Sequence, residues 1–319
     1  MEISRRNFIK IGAAGGLMAA ANAHPALGFR GSKRRLPEAL GILYDATVCI
    51  GCKACVSACK QYNDMPPDFS SPEELWDTPL DLSSKTLNII KLYKHGTGEA
   101  KDREIDGYSY IKRHCMHCVD PACVSACPVS ALTKDPRTGV VRYNKNACIG
   151  CRYCQIACPY DIPKFQWDKA FPVIKKCQLC DHRYESGGYS ACCEFCPTGA
   201  SIFGRVDDLL KEAKRRLSLK PGGWAHYPIG RVDSNRTSYR QVTPYINHIY
   251  GETEGGGTQF LLLSNVPFER LGLPRLPDMS QAAVSEGLQH TIYKGMVAPI
   301  VFLAGLVYTV YKNTKDRNE

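Results

Sequence analysis

Apolar positions are spread unevenly along the chain and separate two ends from a middle. A polar, basic start, Ser4-Arg5-Arg6-Asn7-Phe8-Ile9-Lys10, gives way to an apolar, small-residue run from Ile11 to Ala23, the order of an export signal. Near the other end, Met296 to Tyr311 carries no charge and is bracketed by Lys294 and Lys312. Lys294 can reach the interface and Tyr293, Tyr308 and Tyr311 suit it, so this stretch predicts a membrane-spanning helix. Between the ends the pattern is that of a folded body. Residues 205–220 set Val206, Leu209, Leu210, Ala213 and Leu217 against charged positions and stop at Pro221-Gly222, which predicts an amphipathic helix. Short apolar runs predict strands at Leu87–Tyr93 and Thr258–Leu263, and Asp135-Pro136-Arg137-Thr138-Gly139 makes a turn between two more. Residues 60–114 read as surface loops around one strand, and 223–287 as an extended strap leading to the anchor.

Composition adds the chemistry. The chain has 319 residues, of which 17 are Cys, with 44% hydrophobic and 23% charged positions. That is ordinary globular usage, below the roughly 8–10% Cys of a small disulfide scaffold and far from a disordered composition. The cysteines form four sets: Cys49-x2-Cys52-x2-Cys55-x3-Cys59, Cys115-x2-Cys118-x4-Cys123-x3-Cys127-Pro128, Cys148-x2-Cys151-x2-Cys154-x3-Cys158-Pro159 and Cys177-x2-Cys180-x11-Cys192-x3-Cys196-Pro197. Only Cys193 is left over. The x2-x2-x3 run ending in Cys-Pro is the bacterial ferredoxin spacing, in which three thiolates wrap one iron–sulfur cubane and the fourth ligates another. Pro after that Cys suits the first position of a short helix. Zinc needs four ligands from two Cys-x2-Cys pairs, which a repeated triplet fits poorly. Disulfides leave most of the spacings unexplained.

An internal repeat supports building clusters in pairs. Tyr44 to Cys59 aligns with Tyr143 to Cys158 at a constant offset of 99, and Ala122 to Pro128 matches Ala191 to Pro197. Sets two and three then make one two-cluster module, and sets one and four a second that encloses it.

The formal charge of +10 would suggest nucleic acid or an anionic membrane as a partner, but it counts every Cys as neutral. A cubane with four thiolates carries about −2, so four contribute about −8. Removing residues 1–23, with three basic and one acidic side chain, leaves +8 on the rest. The loaded, processed chain is near neutral, and Lys112-Arg113, Lys175-Lys176 and Arg152 stand beside cysteines as compensating charge. Paired arginines followed by Phe8 and Lys10 mark a twin-arginine signal, with Ala21-Asn22-Ala23 as a cleavage pattern before His24. A route for folded proteins suits thiols that would form disulfides outside the cytoplasm. Lys312, Lys315 and Arg317 then stay on the cytoplasmic side, with the body outside.

Beyond the cysteines, Ser4 to Lys10, His114-Cys115-Met116-His117-Cys118-Val119-Asp120-Pro121, Gly255-Gly256-Gly257-Thr258-Gln259 and the His290-Thr291-Ile292-Tyr293-Lys294-Gly295-Met296 entry to the anchor carry a likeness. The chain resembles the four-cluster ferredoxin subunits of the molybdopterin-oxidoreductase electron-transfer family, in particular those of the hydrogenase-2 class of membrane-bound NiFe hydrogenase. The resemblance covers nearly the whole chain. It implies that Cys49, Cys52, Cys55 and Cys196 hold cluster one, and Cys59, Cys177, Cys180 and Cys192 cluster two. Cys115, Cys118, Cys123 and Cys158 would hold cluster three, and Cys127, Cys148, Cys151 and Cys154 cluster four. With every position a Cys, four 4Fe-4S clusters are expected. Cys193 is read as a small buried residue, and His114 and His117 as neighbours of clusters and not as Rieske-type ligands. The triple glycine lacks the Gly-Lys-Ser/Thr ending of a phosphate loop and reads as a flexible turn.

The expected fold is α+β: two nested bacterial-ferredoxin-like two-cluster modules with loop-rich insertions and a single C-terminal transmembrane helix. The signal takes residues 1–23 and the four-cluster body 38–204. Within the body, 38–60 plus 170–204 form one module, 108–169 the inner one and 61–107 an insertion. An extension at 205–287, an anchor at 288–312 and a cytoplasmic tail at 313–319 follow. The resemblance implies a non-catalytic electron-transfer subunit on the periplasmic face of the inner membrane. Its partners would be hydrogenase large and small subunits, an integral membrane quinone-reactive subunit and the twin-arginine export machinery, with no nucleic acid. The alternatives are a subunit of a formate dehydrogenase or other molybdopterin enzyme, and a zinc-binding scaffold.

Overall fold

The computed structural model describes residues 30–315; the expected signal, 1–23, and the end of the tail lie outside the described residues. They divide into a body, Ser32–Ala282, and a helical unit beginning at Ala283. From its start the body runs through β1 (Leu40–Asp45), α1 (Ala54–Gln61), β2 (Ile89–Lys94), β3 (Ala100–Lys101), β4 (Gly107–Arg113) and α2 (Ala122–Ser125). Then come β5 (Leu132–Lys134), β6 (Val141–Tyr143), α3 (Tyr153–Ile156), β7 (Lys164–Phe165), β8 (Ile174–Lys175) and α4 (Ala191–Glu194). The body closes with β9 (Ser201–Arg205), α5 (Val206–Ser218), β10 (Trp224–Pro228), β11 (Gly230–Arg231), β12 (Thr237–Gln241) and β13 (Phe260–Leu263).

The helices that follow the cysteine loops differ in length for a reason visible in the chain. α1 has eight residues, whereas α2, α3 and α4 have four each. Pro128, Pro159 and Pro197 follow the fourth Cys of the three short ones, and a residue before Pro is pushed out of the helical region. Cys59 is followed by Lys60 instead, and its helix runs on. The expected helix start at each Cys-Pro is corrected: Pro128 and Pro159 open tight turns, closed by Ser130 N–H to Cys127 O at 3.4 Å and Asp161 N–H to Cys158 O at 3.1 Å. The third residue after the Cys takes positive φ at all three, Ser130 at 50°, Asp161 at 51° and Gly199 at 72°. Fixed φ places Pro at the second position of such a turn as readily as at a helix start.

The main sheet has the order β11-β9-β1-β13, with β1 antiparallel to β9 and parallel to β13. β1 and β13 are buried almost throughout, and β13, Phe260–Leu263, reads as a continuous apolar run. On one face Leu43, Ile202, Leu261 and Leu263 pack against Val206, Leu209 and Ala213 of α5. On the other, Ile42, Tyr44, Phe203, Phe260 and Leu262 pack against the cysteine loops. The helix over 205–220 thus covers the back of a sheet whose front supports the cysteines.

Two expectations need correction. The stretch 223–287 is more than an extended strap: β10 and β12 form an antiparallel hairpin, while the strand expected at Thr258–Leu263 is found as β13, paired with β1 from Ile42 opposite Phe260 through Asp45 opposite Leu263. The insertion is not loops around a lone strand either, since β2 pairs antiparallel with β4 and β3 parallel with it. The terminal helix, α6 (Gln281–Lys315), starts before the expected 288. Its 35 residues span about 52 Å at ~1.5 Å each, ample for a hydrocarbon core of about 30 Å. It is the one helix among the described residues long and apolar enough to cross a membrane.

Behind the sheet, Arg216 is fully buried and pairs with Asp45 at 2.9 Å and Glu212 at 2.8 Å. Tyr245 donates to the same Asp45 oxygen at 2.8 Å, while the other oxygen accepts from Thr47 N–H at 3.0 Å. Asp45 therefore ties α5 to the turn that leads into Cys49. Arg216→Met should cost about 3–5 kcal/mol by stranding Asp45, read as a lower denaturant midpoint, whereas Lys211→Met on the exposed face should cost about 0–1 kcal/mol.

Candidate functional site

The structure gathers the sixteen set cysteines into four groups. Cys49, Cys52, Cys55 and Cys196 line one small cavity, Cys59, Cys177, Cys180 and Cys192 a second, and Cys127, Cys148, Cys151 and Cys154 a third. Cys115, Cys118, Cys123 and Cys158 form the remaining group: Cys118 is pushed up by burial and by the charges of Cys158, Cys123 and Cys115. Neighbouring groups also act on one another. Cys55 feels Cys192, Cys177 feels Cys115, and Cys123 feels Cys154. The first group therefore neighbours the second, the second the third, and the third the fourth.

One backbone device recurs in all four loops. The second residue after the leading Cys sits at positive φ: Gly51 at 72°, His117 at 47°, Gly150 at 72° and Leu179 at 59°. This turn brings its N–H back onto the leading sulfur, with Gly51 to Cys49 at 3.4 Å, Gly150 to Cys148 at 3.4 Å and Leu179 to Cys177 at 3.3 Å. Further amides reach sulfur from the turns after Cys-Pro, Ala131 to Cys127 at 3.2 Å and Ser201 to Cys196 at 3.5 Å. Such donors stabilise negative charge on sulfur. Glycine carries the turn without strain in the two repeated loops; His117 and Leu179 hold a conformation their side chains disfavour.

Burial dominates the electrostatics. It pushes Cys55 up to about 12, against Lys112 and with added repulsion from Cys192, Cys49 and Cys196. Cys123 is likewise raised to about 12, and Cys154 and Cys158 to about 11. Cys192 runs the other way, held down by a hydrogen bond with Cys193 and, against burial, by Lys112. Thiols this reluctant to ionise alone must release their protons as metal binds. Cys193 itself is fully buried.

The donor set fits iron–sulfur cubanes better than its rivals. None of the cysteines is in a disulfide. Among the described residues, no three Cys, His, Asp or Glu converge on a single metal ion. Each of three small cavities is lined by four cysteines drawn from two sets, the arrangement in which a triplet and a distant fourth thiolate share one cubane. His117 adds a sign of its own. Val141 N–H donates to its Nδ1 at 3.0 Å, which leaves the proton on Nε2, and that buried Nε2 has no protein partner. It is a donor beside Cys118 with an acceptor still to be supplied. His114 donates from Nδ1 to Cys115 O at 2.8 Å and is held neutral, its pKa lowered to about 3 by burial and then by Lys112.

Sequence reasoning missed what closes the third group. Lys134 donates to Cys118 O at 2.9 Å, Gly139 O at 2.6 Å and Gln259 Oε1 at 2.7 Å. Gln259 N–H in turn donates to Met116 O at 3.1 Å, and Val119 N–H to Gly257 O at 2.9 Å. The triple glycine, expected to be a flexible turn, is therefore a fixed strip with all three residues at positive φ, laid against the Cys115–Cys123 loop. Of the basic positions expected beside cysteines, Lys112 and Lys176 are inside, whereas Lys175 and Arg152 are exposed.

Comparison with known proteins agrees with this chemistry. Residues 41–128 and 107–206 each match a 4Fe-4S dicluster domain, and residues 2–21 match a twin-arginine translocation pathway signal sequence. The molecule is a 4Fe-4S dicluster protein of the electron-transfer kind, with two such domains giving four clusters. The chain belongs to the family of the hydrogenase-2 operon protein HybA: it is 49% identical to that protein of Escherichia coli O157:H7 over 98% of this chain and 97% of the relative. It is also similar to the formate dehydrogenase iron–sulfur subunit of Haemophilus influenzae, 32% identical over 95% of this chain and 84% of the relative. The iron–sulfur subunit of the nitrate-inducible formate dehydrogenase of Escherichia coli K12 is 36% identical over 58% of this chain and 60% of the relative.

Gly51 and Gly150 occupy equivalent loops but different surroundings. A Cβ on Gly51 would stand 2.4 Å from the Tyr110 ring, while on Gly150 its nearest neighbour is Phe165 at 3.5 Å. Gly51→Ala should therefore lose about four irons per chain, counted by iron and sulfide analysis, and Gly150→Ala should keep them with a stability loss on the order of 1 kcal/mol.

Proposed function

We propose that this periplasmic electron-transfer subunit carries electrons from a NiFe hydrogenase catalytic dimer, of large and small subunits, to a quinone-reactive integral membrane subunit. The reading is carried by the near full-length match to the hydrogenase-2 operon protein HybA. The subunit is held on the periplasmic face of the inner membrane by its C-terminal helix and catalyses no bond chemistry itself. The clusters, when bound, supply one-electron carriers in series. Every other part of the work falls to the chain: burying the carriers, ordering them and aiming N–H donors at sulfur.

The ligand sets belong to the same proposal. Cys49, Cys52, Cys55 and Cys196 hold the first cluster and Cys59, Cys177, Cys180 and Cys192 the second. Cys115, Cys118, Cys123 and Cys158 hold the third, and Cys127, Cys148, Cys151 and Cys154 the fourth. The cavities lined by four cysteines and the mutual charge effects support this division. Electrons would pass along the line of groups, one end to the other.

A second reading, a subunit of a formate dehydrogenase, is favoured by the relative that covers 95% of this chain. Anaerobic detergent purification from the native membrane separates the two. About sixteen irons per chain with hydrogenase subunits alongside supports the first reading, a molybdopterin subunit alongside supports the second, and zinc in place of iron overturns both. Cys151→Ser should remove or alter one cluster signal of four in electron paramagnetic resonance, while Cys193→Ser should leave all four. Replacing Arg5 and Arg6 together with Lys should leave the folded, iron-loaded chain in the cytoplasm.

A further inference from the structure

Two lysine ammonium groups are buried without a carboxylate. Lys112 in β4 is fully buried, and its Nζ donates to Ser201 Oγ at 3.0 Å. Lys176 is 4% exposed, and its Nζ donates to the carbonyls of Val141 and of Cys177, the latter at 3.0 Å. Neither forms an ion pair among the described residues. Other deeply buried cations in the same body are treated differently: Lys60 meets Asp68 at 2.9 Å, and Arg216 meets both Asp45 and Glu212. Burying a charge with only neutral partners is costly unless an opposite charge lies close by. The structure therefore leaves two positive charges whose counter-ions the protein's carboxylates do not supply.

Both lie where successive cysteine groups meet. Lys112 acts on Cys192 of the second group and Cys55 of the first, and Ser201, whose hydroxyl accepts its hydrogen bond, donates its own N–H to Cys196 of the first. Lys176 touches the backbone of Cys177 in the second group and acts on Cys123 in the third. Through Val141 it also adjoins His117, since Val141 O accepts from Lys176 and Val141 N–H donates to the imidazole.

We propose that Lys112 and Lys176 are positioning residues for electron transfer, fixed internal charges at the first-to-second and second-to-third junctions that raise the reduction potentials of the clusters flanking them. The inference rests on the ligand sets proposed above. On reduction a cluster takes one electron and passes, with its thiolates, from about −2 to about −3; no bond breaks and no proton moves. A nearby ammonium favours the more negative state, and in a low-dielectric interior it does so strongly. The fourth group has no such lysine at its junction with the third, so its potential should be indifferent to both.

The test uses the full chain, loaded and purified anaerobically, with redox titration followed by electron paramagnetic resonance. Lys112→Met should lower the midpoints of the two clusters it adjoins by at least a tenfold change in equilibrium constant, 59 mV for a one-electron couple, and leave the fourth unmoved. Lys176→Met should do the same at the second junction. Arg at either position should restore the midpoints, and Ser201→Ala, which keeps the charge, should leave them near the original. Full iron with unmoved midpoints, or an equal shift of all four clusters, overturns the proposal. A failure of the ligand sets is distinguishable, because it appears as unchanged spectra in Cys52→Ser, Cys180→Ser or Cys118→Ser whatever the lysines do. Should a Met variant fail to assemble, the unaltered protein decides: lysine labelled with nitrogen-15 must give a nitrogen coupling on reduced clusters in pulsed resonance, and no coupling overturns the assignment.

Discussion

The constraint on which this molecule depends is that sixteen thiols, all but Cys52 at least half-buried, must be held close together and able to ionise when iron arrives. Burial raises Cys49, Cys55, Cys59, Cys118, Cys123, Cys154, Cys158, Cys177 and Cys180, and neighbouring thiols add to it. Nothing in an ordinary apolar core would offset this, and the architecture is best understood as a set of local remedies. Backbone N–H groups are turned onto sulfur by left-handed residues, short helices end abruptly at proline, and positive charge is brought inside. The apolar sheet behind the cysteines supplies rigidity rather than chemistry. Its two faces divide the work, one gripping α5 and the other bearing the loops.

What could be read from the chain was whatever depends on covalent spacing. The four sets, the repeat between the first and third, the amphipathic helix, the paired strands about Asp135 to Gly139 and the apolar terminal helix all follow from neighbours in sequence. The four 4Fe-4S clusters and the export signal were readable for the same reason. What escaped was long-range: that β13 would pair with β1, that β2 and β4 would bind the insertion into the body, and that Gln259 would reach Leu40, Thr138 and Lys134 at once. No periodicity reports which distant strand a short apolar run will choose. The Cys-Pro turns were misread because proline's fixed φ serves a turn and a helix start equally well, and only the pairing of the next amide decides.

The two halves of the repeat have drifted apart in instructive ways. Both keep the glycine that turns the loop, and both keep a left-handed residue before the helix, Lys53 at 58° and Arg152 at 66°. The first loop is packed under Tyr110, so its glycine has no room to change. The third is open, with Arg152 resting over the rings of Phe165 and Trp167 at 5.4 and 5.0 Å. The same local solution thus sits once against an aromatic ring and once with room for a Cβ, which is why a residue's place in the repeat does not foretell its tolerance to substitution.

The parallel pairing of β1 with β13 has a bearing on how the protein is made. The first strand of the body to leave the ribosome cannot be flanked on both sides until Leu263, more than 200 positions later in the chain, has been synthesised. Until then the strip that closes over Met116 and Val119 is missing, and the loops of the second set stand open on that side. Synthesis order therefore builds in an interval during which all sixteen set cysteines exist but the strip over one group does not, so that group is the last to be enclosed.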